Sequence, residues 1–170
     1  YVQWGHWRTL MSGIRTLANA YALTDDPRYA HACAIILDRV ADVYPDMRIK
    51  PLRKQGFQHS DGGSKLGRIE GRIWESNVGT ILCRAYDIIY DGIQGDGELV
   101  EFLSRMSAEH DLGDKSPIEA ICRHIEDDFI LEVLGAIRKG RIRGNTGMTH
   151  RCNATAAIAL PRTRERCPGA

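Results

Sequence analysis

With 170 residues, 43% of them apolar, the chain has the size of one domain and enough apolar surface to bury a core. Its formal net charge of +1 lacks the basic excess of nucleic-acid-binding modules, so no nucleic-acid partner is predicted. No apolar run approaches the roughly 20 residues that span a bilayer, so no membrane association is predicted either. The sequence begins at Tyr1 without a signal-peptide pattern, and we expect that a leader or a longer N-terminal segment has been removed.

The five cysteines are scattered without any Cys-x-x-Cys spacing, so neither a zinc site nor a disulfide framework is predicted. No other pattern indicates a metal or a cofactor, and we expect none. Four of the cysteines fall within helical apolar patterns, where a free cysteine behaves as a small apolar residue. The five are Cys33, Cys83, Cys122, Cys152 and Cys167.

Two amphipathic helices are predicted at the start of the chain. Apolar residues recur at helical spacing between His6 and Leu23, and a second stripe runs from Tyr29 to Ala41 and stops before Pro45. The joint Thr24-Asp25-Asp26-Pro27 offers an Asp as a cap and a Pro for the first turn of the next helix. Because the joint is short, the two helices are predicted to form an antiparallel hairpin.

Between Pro45 and Gly71 the helical pattern gives way to Pro, Gly, Ser and basic residues. We predict a long loop here, and the least ordered internal segment of the chain, because like charges and small residues bury little apolar surface. The basic residues in and beside it are Lys50, Arg53, Lys54, His59, Lys65, Arg68 and Arg72.

Helical periodicity returns from Ile73 to Ile89 and again from Leu99 to His110. Ser116 and Glu119 then have the spacing of a capping box, with Ser116 as the N-cap of a helix whose apolar stripe continues to Gly140.

The last predicted helix runs from Met148 to Leu160 and is broken by Pro161. Strand signals are almost absent. The predicted fold is therefore all-α, built from antiparallel helical hairpins arranged as an α/α toroid or a solenoid. We assign residues 1–160 to a partial toroid and residues 161–170 to an irregular tail.

Three stretches of the chain together resemble the helical domain of the heparinase II/III-like polysaccharide lyases. The first is the hairpin joint, residues 19–30, and the second is Gly71-Arg-Ile-Trp-Glu-Ser followed by Ala85-Tyr-Asp-Ile-Ile-Tyr-Asp. The third and most informative is Arg143-Gly-Asn-Thr-Gly-Met-Thr-His-Arg, which leads into an Ala-rich helix.

The resemblance implies an incomplete α/α toroid from an enzyme that cleaves acidic, uronic-acid-containing polysaccharides. It further implies a periplasmic or secreted location and a missing C-terminal part of the same protein. In the family, that later part carries a catalytic tyrosine and a β-sandwich domain. We therefore expect the 170-residue chain alone to show no lyase turnover.

Within this resemblance, the predicted catalytic residues are Asn145 and His150. Cleavage by β-elimination removes a proton next to a carboxylate, and an amide can donate hydrogen bonds that neutralise that carboxylate without competing for protons. A histidine titrates near neutral pH and suits a general base. The alternative interpretations are that Asn145 is an ordinary helix cap and that His150 is a surface or core-edge histidine.

The predicted substrate-binding residues are Arg143, Arg151, Trp74 and Glu75. Basic residues cluster around Asn145 and would attract a polyanionic sugar, while an aromatic ring can stack on sugar rings. Structural interpretations compete with each of these roles. Basic residues such as Arg138 and Lys139 also suit a helix C-terminus, tryptophans anchor helix packing, and helical carboxylates such as Glu75 or the Asp127-Asp128 pair usually lie on a solvated face.

Two other classes of function stay open. An α/α toroid glycoside hydrolase would need two carboxylates across a cleft, and no such pair is evident in the sequence. A non-enzymatic helical-repeat scaffold would show a regular period, such as the 34 residues of tetratricopeptide repeats, and none is found.

Overall fold

A computed structural model describes residues 2–48 and 66–160 of the chain, and within these ranges all regular secondary structure is helical. The all-α prediction is confirmed for them, and none of their helices is long and apolar enough to cross a bilayer. Most of the predicted long loop and the whole predicted tail lie outside the described residues. The α-helices are α1 (Val2–Thr24), α2 (Pro27–Val43), α3 (Glu75–Ile89), α4 (Gly97–His110), α5 (Ile118–Ile125), α6 (Glu132–Arg138) and α7 (Thr146–Ala159).

The joint between α1 and α2 forms as the sequence predicts. Asp26 caps α2 by accepting the backbone N–H of Arg28 at 3.0 Å, and Pro27 occupies the first turn, where it sacrifices no helical hydrogen bond. Asp25 adopts a left-handed conformation with φ of 55°, which turns the chain sharply between the helices. As a result α1 packs along α2, and α1 also packs against α3.

The core lies where α1, α2, α3 and α5 meet, and α7 covers the other side of α3. Ile14, Leu37 and Leu82 are fully buried, and Phe129 packs edge-on against Tyr44 with 4.8 Å between ring centroids. The four described cysteines are free and buried, which confirms their predicted role as small apolar core residues.

A π-helical segment (Glu126–Leu131) joins α5 to α6. Such insertions widen one turn of a helix and re-aim the side chains on either side of it. Here the segment directs Phe129 into the core, and it presents Glu126 to Tyr86, whose hydroxyl donates a hydrogen bond of 2.7 Å.

The predicted capping box at the start of α5 does not form. The helix begins after Pro117, and the Ser116 hydroxyl instead donates to the carboxylate of Asp114 at 2.6 Å. The same carboxylate accepts the backbone N–H of Ser116 at 2.9 Å. The Asp114 carboxylate, two residues earlier, therefore accepts hydrogen bonds from both the hydroxyl and the N–H of Ser116. These local bonds compete with capping of the helix by Ser116.

A buried charge cluster ties the segment before α5 to α2. The Lys115 ammonium, only 2% exposed, donates to Asp38 at 2.6 Å and to Asp42 at 2.7 Å. His124 of α5 contacts Asp42 at 3.0 Å through Nε2 and Asp128 at 2.8 Å through Nδ1. Because isolated buried charges are costly, each member of this cluster depends on its partners.

Two titrating groups in the cluster are shifted in opposite directions. Burial alone would lower the pKa of His124, but the hydrogen bond to Asp42 and the charges of Asp38 and Asp42 raise it overall. Burial would raise the pKa of Asp42, but its hydrogen bonds with His124 and Lys115 and their positive charges lower it overall. Both shifts favour the charged forms, whereas burial raises the pKa of Asp38 against the hydrogen bond and charge of Lys115.

We expect the His124 interaction to make folding stability fall on the alkaline side of neutrality. A histidine with a raised folded-state pKa contributes stability that is complete below its unfolded pKa of 6.5 and is lost as the pH rises through the folded-state pKa. Melting temperatures measured from pH 6 to pH 9 should therefore decline more steeply for the unmodified chain than for His124→Gln. The exposed His110→Gln serves as control, and a decline in His124→Gln as steep as in the unmodified chain would contradict the assignment.

Candidate functional site

Glu75, the first residue of α3, organises the chain that leads into the helix. Its side chain has 0% exposure, and its carboxylate accepts backbone N–H groups of four consecutive residues at 3.0 to 3.3 Å. Gly67 and Gly71 flank this turn with φ near +100°, and Gly67 approaches the backbone of Gly71 too closely for any Cβ. The four donors are Arg68, Ile69, Glu70 and Gly71.

The expectation that Glu75 lies on a solvated helix face is wrong. Backbone amides surround its oxygens, and burial raises its pKa against the opposing effect of those hydrogen bonds. Direct substrate contact, which the sequence analysis predicted for Glu75, does not fit this burial. The residue instead holds the shape of the turn before α3.

Arg68 extends the same turn towards two other elements. Its buried guanidinium donates to the backbone carbonyl of Tyr44 at 2.5 Å and to the carboxylate of Glu132 in α6, and it lies 4.9 Å from the centre of the Tyr44 ring. The turn is therefore fixed to the end of α2 and to α6, which gives α3 a rigid starting point.

The segment before α7 is held against the start of α3 by backbone contacts. The N–H of Arg143 donates to the carbonyl of Arg72 at 3.0 Å, and the Arg72 side chain donates to the carbonyl of Gly140 at 3.2 Å. Gly144 sits so close to α3 that a Cβ there would lie 2.5 Å from the hydroxyl of Ser76. The segments before Trp74 and before Asn145 thus lie side by side.

Asn145 occupies the N-cap position of α7, which begins two residues before the predicted start at Met148, but the side chain of Asn145 does not cap the helix. The backbone carbonyl accepts the first helical hydrogen bonds from Met148 and Thr149, while the carboxamide is exposed. His150 is also exposed, and among the described residues neither side chain makes a hydrogen bond.

The remaining predicted residues lie in the segment before α7, on α7 itself and beside the start of α3. Arg143 is exposed just before Asn145, and Trp74 is 46% exposed beside the start of α3. Arg151 is exposed on α7 and donates to the carboxamide oxygen of Asn77 at 2.9 Å. An exposed amide, an exposed aromatic ring and two exposed guanidinium groups thus lie on segments that contact one another, and we call these residues the surface around Asn145.

A pocket of about 220 Å³ lies between α1, α3 and α7, next to this surface. Arg151 lines it, whereas Asn145 and Trp74 do not, so the pocket and the surface around Asn145 adjoin at Arg151. No local pattern in the sequence indicates this pocket, because its lining comes from three separate helices. Its lining residues are Arg15, Ala18, Asn19, Asn77, Thr80, Ile81, Arg84, Ala85, Ile88 and Arg151.

Within the part of the chain that the structure describes, no group of three or more His, Cys, Asp or Glu side chains is arranged to hold a metal ion. The acidic side chains of the buried cluster surround the ammonium of Lys115 instead. Comparisons with protein-family models, with curated proteins and with solved structures find no match to this chain.

Replacing Glu75 with glutamine should destabilise the fold while keeping the side chain's size. The NH₂ group of glutamine would replace one carboxylate oxygen and would then point at backbone N–H groups, from which it cannot accept a hydrogen bond. The hydrogen bonds lost, to a charged acceptor, are worth about 1.5 to 3 kcal/mol. We expect a loss of about 2 kcal/mol in the free energy of unfolding, measured by denaturant titration. The exposed Glu98, in the first turn of α4, provides the matched Glu98→Gln control, and equal losses in both variants would refute the role given to Glu75.

Gly144 and Gly147 provide a matched pair for testing the contact between α7 and α3. Gly144→Ala should cost about 1 to 3 kcal/mol, because the new methyl group would press on Ser76 and push the segment off α3. Gly147→Ala meets no atom within 4 Å and should be neutral or stabilising by up to about 1 kcal/mol, because alanine favours the helix. Thermal unfolding checks both, and a tolerated Gly144→Ala would show that the contact is loose.

Proposed function

We propose that this chain is part of a polysaccharide lyase that cleaves acidic, uronic-acid-containing glycans by β-elimination. The described helices would then belong to an incomplete α/α toroid of antiparallel hairpins. The observation that carries the proposal is the exposed carboxamide of Asn145, which sits at a helix N-cap position without making the capping hydrogen bond usual for Asn there. Because the carboxamide makes no capping hydrogen bond, its donors and its acceptor are available to bind a ligand.

The reaction needs donors at the substrate carboxylate. When a base removes the C5 proton, negative charge develops on that carboxylate. The electron pair of the broken C5–H bond then forms the C4–C5 double bond, the C4–oxygen bond breaks, and the leaving oxygen takes up a proton. The carboxamide NH₂ of Asn145 can donate to the carboxylate, and the neighbouring Arg143 adds a positive charge. The helix N-terminus at Asn145 further favours an anion.

The other side chains at this surface fit supporting roles. His150, in the second turn of α7, carries an imidazole nitrogen that can accept the C5 proton if the sugar extends along the helix. The exposed face of Trp74 offers a stacking surface for a sugar ring. In this proposal Glu75 acts on the substrate only indirectly, by fixing the turn that carries Trp74.

The assay must separate elimination from hydrolysis. Elimination leaves a double bond conjugated to the uronate carboxylate and therefore raises ultraviolet absorbance, whereas a glycoside hydrolase produces reducing ends without it. The complete gene product that contains this chain should be tested on heparin-like, alginate and other uronate polymers. Reducing ends without new absorbance would reject the lyase in favour of the hydrolase.

In that complete protein, Asn145→Ala should lower turnover by about a hundredfold or more, the effect of removing one donor to a developing oxyanion. Stability should change little, because the side chain makes no capping hydrogen bond in this structure. Turnover and melting temperature measured on the same preparations check both statements.

Asp26→Ala is the matched control, because Asp26 is an N-cap that does accept a backbone N–H. It should cost about 1 kcal/mol of stability and leave turnover unchanged. If Asn145→Ala behaves like Asp26→Ala, destabilised but fully active, then Asn145 is a cap and the catalytic assignment fails.

A further inference from the structure

The pocket between α1, α3 and α7 has an unusual charge balance. Three guanidinium groups, from Arg15, Arg84 and Arg151, line it, and no carboxylate does. Each arginine comes from a different helix, so the convergence arises from the tertiary fold and not from a local run of basic residues. Among the described residues, neither Arg15 nor Arg84 forms an ion pair or a hydrogen bond, and both are exposed.

The uncharged lining of the pocket adds amide groups and apolar side chains to the three arginines. Asn77 accepts from Arg151 at 2.9 Å through its oxygen, which orients the guanidinium and leaves the amide NH₂ of Asn77 as a donor. Asn19, one turn after Arg15 on α1, adds a second amide, while Ala18, Ile81, Ala85 and Ile88 form the apolar part of the wall. Residues of α3 at 77, 80, 81, 84, 85 and 88 share one helix face, so this helix supplies most of the lining.

The pocket's volume limits the size of its occupant. At about 220 Å³ it is smaller than the roughly 300 to 1,000 Å³ of pockets that enclose drug-sized ligands. A single compact group fits this size better than an extended chain. Guanidinium groups match planar or tetrahedral oxyanions with paired N–H donors, and three of them favour a group with more than one negative charge.

We propose that this pocket binds a small oxyanion of the phosphate or sulfate class, free or as a sugar ester, through Arg15, Arg84 and Arg151. The site does not depend on the proposed lyase activity, because Arg15 and Arg84 lie outside the surface around Asn145. The Asn77 and Asn19 amides supply further neutral donors around the anion.

Isothermal titration calorimetry of the 170-residue chain at low ionic strength tests the proposal with five ligands. Inorganic phosphate and inorganic sulfate represent the free anion, glucose 6-phosphate and glucose 6-sulfate represent the ester, and glucuronate represents a singly charged carboxylate. We expect saturable 1:1 binding of at least one phosphate or sulfate ligand, weakened by added chloride because the attraction is electrostatic. Tighter binding of the esters than of the free anions would identify a sugar ester as the occupant, and the reverse order would identify the free anion.

Arg15→Gln and Arg84→Gln should each weaken this binding at least about tenfold, the scale of one charge-assisted hydrogen bond. Both side chains are exposed, so folding should persist, which circular dichroism checks. Arg123→Gln, an equal loss of charge at an exposed residue of α5 outside the pocket, should leave the affinity unchanged. Absence of saturable binding at millimolar ligand, equal weakening by Arg123→Gln, or preference for glucuronate would each overturn the proposal.

Discussion

The arrangement of the candidate site depends on the hydrogen bonds that the Glu75 carboxylate accepts from the backbone of the preceding turn. Four backbone N–H groups converge on it, and burial makes every unsatisfied donor there costly. The turn that results places Arg68 against Tyr44 and Glu132, and it sets Arg72 where its carbonyl accepts the N–H of Arg143. One buried charge at a helix start thus determines the position of α3, and through it the position of the chain entering α7.

Much of the fold could be predicted from the sequence, because helices obey local rules. The 3.6-residue spacing of apolar residues located every long helix, and the Asp26-Pro27 pair located the start of α2. Prediction failed where a distant or competing partner decided the outcome. Ser116 has the spacing of a capping box, but its hydroxyl donates to Asp114. Glu75 has the sequence context of a surface residue, but its carboxylate accepts backbone hydrogen bonds from a turn that begins at Arg68.

The candidate site was predictable only in part, for the same reason. The sequence singled out Asn145 and predicted a helix from Met148, and α7 begins at Thr146, directly after Asn145. The convergence of Arg15, Arg84 and Arg151 depends on how three helices pack, which no spacing within the sequence encodes. Asp38 and Asp42, four residues apart on α2, were the one local sequence signal of the buried cluster. Carboxylates on the core-facing side of a helix are costly to bury unless a cation such as Lys115 pairs with them.

Positive charge is placed in two physically different ways in this protein. The ammonium of Lys115 is buried between the carboxylates of Asp38 and Asp42, which neutralise its charge. It therefore holds the segment before α5 against α2 and is not accessible to solvent. Arg15 and Arg84 are exposed and line a pocket that no carboxylate lines, so their charges stay open to solvent. Arg151 stands between the pocket and the surface around Asn145, tied to Asn77 but still exposed. If an anion binds this pocket, its negative charge lies beside Arg151 and lowers the electrostatic potential at Asn145, which would weaken the binding of a second anion there.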